Sequence, residues 1–115
     1  MAAEKNFENK IKKYLEDNNC WFVKFFANAY TKSGIPDILA CVNGYFVGIE
    51  VKAPNGKPSE LQKYNIREIN KSHGIGIVLC PKQYDDFVKM IEFLIDNKKP
   101  QAQVIAYKIN SLWEI

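Results

Sequence analysis

The sequence holds one histidine, His73, and three cysteines, Cys20, Cys41 and Cys80, none of them in a Cys-x-x-Cys pair. That is too few ligands for a zinc site. An odd set of cysteines within apolar, strand-like runs reads as reduced core residues of a cytosolic protein, not as a disulfide framework. No apolar stretch approaches membrane-spanning length, and the start Met1-Ala2-Ala3-Glu4-Lys5-Asn6 lacks the apolar segment of a secretion signal. The chain is therefore expected to be cytoplasmic, neither secreted nor inserted. Internal repeats and low-complexity tracts are missing too. A net charge of +3 permits nucleic acid as a partner without demanding it. At 115 residues, 47% of them hydrophobic, the expectation is one domain over 1–115, able to bury a core and too small for two.

What is present centres on Ile35 to Lys52. Asn43-Gly44 between two apolar, β-branched runs is the strongest short-range hairpin signal, because both residues accept the positive φ of a tight primed turn. If they are the whole loop, Val42 faces Tyr45 and Asp37 falls opposite Glu50. Side chains alternate along strands, so Asp37, Glu50 and Lys52 share one side of the ribbon. Charges on one face of a hairpin usually mean only that the face meets water. Here the same-face neighbours are Phe46, Gly48, Leu39 and Cys41, which is no polar face. Opposed like charges destabilise a sheet by up to ~1 kcal/mol. Replacing Asp37 by Asn is accordingly expected to stabilise the metal-free protein. A hard divalent cation would satisfy the pair, with carboxylates, a backbone carbonyl and water as ligands: Mg²⁺, or alternatively Mn²⁺.

Pro36-Asp37 followed by Glu50-Val51-Lys52 resembles the PD-(D/E)xK nuclease superfamily. Gly34-Ile35-Pro36-Asp37-Ile38, the loop Gly56-Lys57-Pro58-Ser59, and Leu61-Gln62 make it similar to the VRR-NUC (virus-type replication-repair nuclease) branch, over about Glu8 to Cys80. The resemblance implies a restriction-endonuclease-like αβββαβ core and cleavage of DNA, with branched or flap structures as substrates. It also implies that a first-helix glutamate, here Glu8, lies beside the metal site. By position alone Glu8 is equally well explained by the helix dipole, since it flanks the buried stripe Phe7, Ile11, Tyr14 and Leu15 of a helix from Asn6 to about Asp17. Lys10, Lys12 and Lys13 read as solvated.

Cys20 to Phe26 reads as an outer strand interrupted by Lys24, and Ala27 to Gly34 as a loop that either connects or touches a phosphate. Ser59 caps a helix to about Ser72. Gln62 falls on its inward arc, where it is expected to reach Lys52, a metal-bound water or the phosphate, while Lys63, Arg67 and Lys71 form an outer, solvated stripe. Ile75 to Cys80 reads as a buried strand, Pro81 opens a further helix, and Gln103 to Ile109 alternates as a final edge strand. Trp113 covers either the core or a partner. The fold class is thus α/β: the αβββαβ core with a mixed sheet and an appended C-terminal helix and strand.

The reading is a metal-dependent phosphodiesterase. Asp37, Glu50 and the Val51 carbonyl would hold Mg²⁺, with Glu8 nearby and Gln62 assisting. Lys52 would orient water and stabilise developing negative charge. A homodimer is expected, since one such site cuts one strand and a pair cuts two. The rival from another class is a silent DNA-binding or assembly module of the same fold. A glycosidase dyad is disfavoured by the adjacent lysine.

Overall fold

Asn43 (φ 50°) and Gly44 (φ 85°) close the tight turn that sets the sheet. In the computed structural model, which describes residues 2–115 with Met1 outside them, the order is helix α1 (Ala2–Asp17), strands β1 (Trp21–Lys24), β2 (Ile38–Val42) and β3 (Tyr45–Val51), helix α2 (Glu60–Lys71), strand β4 (Ile75–Leu79), then helices α3 (Tyr84–Ile95) and α4 (Lys99–Ser111). The sheet runs β1-β2-β3-β4. Its first two pairings are antiparallel and the third is parallel, the mixed sheet expected. Val42 pairs with Tyr45 and Ile38 with Ile49, so the register continues to Asp37 against Glu50. Asn43 also donates to the Leu94 carbonyl at 3.0 Å, fastening the turn to α3.

Alternation puts Ile38, Ala40, Val42, Val47, Ile49 and Val51 on one sheet face. They form a single core with Ile11 and Leu15 of α1 and with Phe87, Met90, Ile91 and Leu94 of α3. Each such side chain contributes about 1.5–3 kcal/mol by leaving water. On the other face α2 comes close because β3 and β4 carry glycines there: a Cβ on Gly48 would stand 2.9 Å from Ile69. Ser59 and Gln62 form a capping box that starts α2, the Ser59 hydroxyl accepting the Gln62 N–H and the Gln62 side-chain oxygen accepting the Ser59 N–H at 2.8 Å.

Three expectations change. Helix α1 begins at Ala2, so Asn6 lies inside it instead of at its start. Cys41 is exposed, although Cys20 and Cys80 are buried as read. The appended strand at 103–109 is instead helix α4, with Pro100 in its first turn, where a missing N–H costs nothing. Its buried residues Ala102, Ala106, Ile109 and Asn110 recur at helical spacing.

Helix α4 does what a fifth strand would have done. Asn110 accepts the Val78 N–H at 3.1 Å and donates to the Gly76 carbonyl at 2.8 Å, and Trp113 donates to the Val78 carbonyl at 2.9 Å. The outer edge of β4 is thereby closed to pairing with another chain. Among the described residues, no helix is long and apolar enough to cross a membrane.

Candidate active site

Asp37 sits one residue before β2, where the chain arrives from the loop that Gly34 permits. Gly34 has φ +77°, and a Cβ there would stand 2.8 Å from Asn65 of α2. Asn65 in turn donates to the Ser33 carbonyl at 3.1 Å. The Pro-Asp segment is thus held by packing against α2, and only glycine fits the close approach.

Glu50 lies near the end of the inner strand β3 and is 3% exposed, with Asp37 across from it and Lys52 Nζ at 3.4 Å from its Oε2. Burial pushes the Glu50 carboxyl up to about 8, the Asp37 charge adds to the rise, and Lys52 opposes it. At neutral pH, Glu50 therefore keeps its proton while no cation is bound. Asp37 is not the bare opposed charge that was expected. Its Oδ2 accepts the Val51 N–H at 2.8 Å, and its Oδ1 lies 3.4 Å from Lys24 Nζ. The anticipated stabilisation on replacing Asp37 by Asn is accordingly offset by partners that the pairing pattern did not reveal.

Glu8 is the second buried acid, 5% exposed. Lys24 Nζ stands 2.8 Å from its Oε1, and Lys5 and Lys12 each place Nζ 3.2 Å from its Oε2. Burial alone would raise its pKa, but hydrogen bonds from Lys24, Lys5 and Lys12 hold it down at about 2. Burial would lower the Lys24 ammonium, but Glu8 and Asp37 together raise it. Lys12, read as solvated, is half-buried in this cluster.

The structure thus brings together Asp37, Glu50, Lys52 and the Val51 peptide, and sets Glu8 beside them behind Lys24. Among the described residues, no three His, Cys, Asp or Glu side chains converge on one point, so Glu8 does not complete a three-acid set. Gln62 forms its side-chain hydrogen bond with Ser59 and none with Lys52 or the carboxylates. Lys24 was the residue missed. The sequence marked it only as a charge within an apolar strand, and its pairing with Ile38, next to Asp37, is seen once the sheet is formed.

The donors present suit a hard divalent cation. They are carboxylate oxygens without thiolate or imidazole, and Glu50 holds a proton that such a cation would replace while cancelling the repulsion from Asp37. Beside the loop that follows Lys52 opens a cleft of about 640 Å³ whose lining includes Lys57, Lys63, Lys82 and Trp113, with Glu60 and Glu114 as counter-charges.

A family model described as archaeal Holliday junction resolvase matches residues 2–111. The family is one of the PD-(D/E)xK nucleases. No curated protein and no solved structure matches the chain.

Proposed function

The chain belongs to the archaeal Holliday junction resolvase family, whose members are metal-dependent nucleases, and from that premise we propose that it cuts four-way DNA junctions in recombination or repair, with Mg²⁺ as its usual cation and Mn²⁺ as a substitute. The observation that carries this reading is the convergence of Asp37, Glu50 and Lys52 at one end of the central strands, with the charge of Glu50 suppressed beside Asp37. The carboxylates of Asp37 and Glu50 and the carbonyl of Val51 would hold the cation. When bound, it polarises the phosphate and lowers the pKa of a water.

The chain's own groups supply the rest. Lys52, 14% exposed and tethered to Glu50, presents a fixed ammonium toward charge that develops on the phosphate oxygens. The Val51 N–H orients the Asp37 carboxylate, and the Gln62–Ser59 box fixes the start of α2 behind it. A preset site of this kind lowers the cost of reaching the transition state, because little must reorganise.

Resolving a junction takes two cuts, and each chain carries one such site. A homodimer is supported by the half of the sheet that no helix covers. Trp21, Cys41 and Phe46 lie in register across β1, β2 and β3, with Val23 and Leu39 in the next row. Trp21 is 67% exposed and Phe46 46%. An apolar patch of this kind is unusual on a monomer and ill suited to phosphates. The likeness to VRR-NUC enzymes widens the substrate panel to flaps and forks.

The test is incubation of the purified protein with Mg²⁺ and four-way, flap, fork and linear DNAs. Paired nicks near the branch of the four-way junction, abolished by chelator, are expected. Equal cutting of linear duplex, or cutting that survives chelation, would contradict the proposal.

A further inference from the structure

The three lysines around Glu8 exceed what one carboxylate requires. Lys5 and Lys12 are one turn either side of Glu8 on α1, and pairs of that spacing on an open helix face contribute little. The present case differs in two respects. The carboxylate is buried, its side chain 7% exposed, and the third lysine, Lys24, comes from β1 on another element. Lys24 Nζ also lies 3.4 Å from Asp37 Oδ1, so the cluster adjoins the catalytic pair. Against three ammonium groups stand Glu8 and a share of Asp37. Lys5 retains 59% of its side-chain exposure and Lys12 24%. Positive charge is therefore gathered, oriented and left open to solvent on one flank of the site. Phe26 adds an apolar element: its ring centroid is 5.9 Å from Lys24 Nζ, and the residue is 74% exposed.

Building on the nuclease reading, we infer that Lys5 and Lys12, gathered with Lys24 around Glu8, seat a second, uncleaved phosphate of the DNA strand, with the Phe26 ring as a face for the base beside it. Glu8 is a positioning residue in this arrangement. It anchors the lysines, so that less side-chain freedom is lost when the phosphate arrives. Lys5 and Lys12 exchange Glu8 for the phosphate, while Lys24 keeps Glu8 and Asp37 in place. An exposed aromatic next to a backbone contact is the common arrangement for holding a nucleotide irrespective of sequence.

The experiment is fluorescence anisotropy of a labelled four-way junction, titrated with full-length protein in chelator at several salt concentrations. The variants are the Lys5→Gln/Lys12→Gln double and, as a control of equal charge change on the same helix, the Lys10→Gln/Lys13→Gln double. The first should lower the slope of log affinity against log salt by about 1 per lysine, and the control by clearly less. A triple variant that adds Glu8→Gln removes any instability caused by leaving the acid short of partners, and the slope change should persist in it. Phe26→Ala should weaken binding at every salt concentration by about tenfold, within the range for one lost stacking contact, and leave the slope unchanged. Equal slopes for the two doubles, or no change in either Lys5/Lys12 variant, would overturn the phosphate seat. A wild-type protein that bound no junction would instead count against the nuclease reading.

Discussion

Glu8 and Glu50 are both almost wholly buried acids at the same end of the sheet, yet their surroundings drive them in opposite directions. Glu8 has three lysines and is held at about 2, whereas Glu50 has one lysine, burial and the neighbouring Asp37, and is pushed up to about 8. Glu8 is thus a satisfied anion that organises its neighbours. Glu50 is an unsatisfied one that sheds its charge until something better than Lys52 arrives. Lys24 stands between Glu8 and Asp37, the neighbour of Glu50. Of two buried carboxylates side by side, the one whose ionisation is frustrated is the better candidate for binding a cation. A local defect of this kind is what a site retained for function looks like.

After the carboxylate pair itself, the largest effect is expected at Lys52. Lys52→Met should lower kcat for junction cleavage by about 10²-fold or more, the usual loss when a fixed charge facing the transition state is removed. If KM rose and kcat held, Lys52 would be a substrate anchor belonging with the Glu8 cluster.

The next effect is at Glu8. Glu8→Gln should destabilise the protein at pH 7 by roughly 1.5–3 kcal/mol, the worth of hydrogen bonds to a charged group, a drop of several degrees in thermal melting. Because its folded pKa is depressed, this contribution is present above the ordinary carboxylate pKa of 4.5. It is lost as pH falls from there toward about 2.

Glu50 has the opposite sign. Its folded pKa is raised, so the folded state holds the proton more tightly than the unfolded chain, and metal-free stability should fall as pH climbs from 4.5 to about 8. Glu50→Gln should flatten that slope and, in chelator above pH 8, melt a few degrees above wild type. A wild-type melting temperature that rose across this window, with no flattening in the variant, would erase the contrast between the two acids.

A smaller effect is expected at Asp37. Asp37→Asn in chelator should change stability by less than ~1 kcal/mol, because Glu50 keeps its proton at neutral pH and leaves little repulsion to relieve, and that small gain is offset by weaker contacts to Val51 N–H and Lys24. Excess Mg²⁺ should raise the melting temperature of wild type and not of the variant. The smallest effect belongs to α2. Neutralising Lys63, Arg67 and Lys71 together should leave cleavage nearly unchanged, and a clear fall in the salt dependence of binding would show that this face also meets DNA.

Much of the candidate pair's placement was legible in the chain. Asn43-Gly44 fixes a two-residue turn, the turn fixes the register, and the register places Asp37 against Glu50 without further information. The partners of Asp37, Val51 N–H and Lys24, were not legible, because Asp37 itself lies one residue before the first paired position of β2, where strand alternation no longer governs direction. Gln62 illustrates the same limit. Its position on α2 suggests an inward reach, but a closer partner three residues away takes its side chain. At the C terminus the error was one of period. The weak alternation read over Gln103 to Ile109 is outweighed by the buried set Ala102, Ala106 and Ile109, which carries the helical spacing. The need to cap the edge of β4 with Asn110 and Trp113 decides between them only once the sheet is known.

The central claim is that Asp37 and Glu50 together bind the cation that cuts the strand. It is tested most directly by gel analysis of a labelled four-way junction incubated with Mg²⁺ and wild-type, Asp37→Asn or Glu50→Gln protein, with binding of the same junction measured in parallel. Wild type should nick the junction, and each variant should lose cleavage by about three orders of magnitude or more while binding the junction as tightly as before. Cleavage near the wild-type rate by either variant would contradict the assignment.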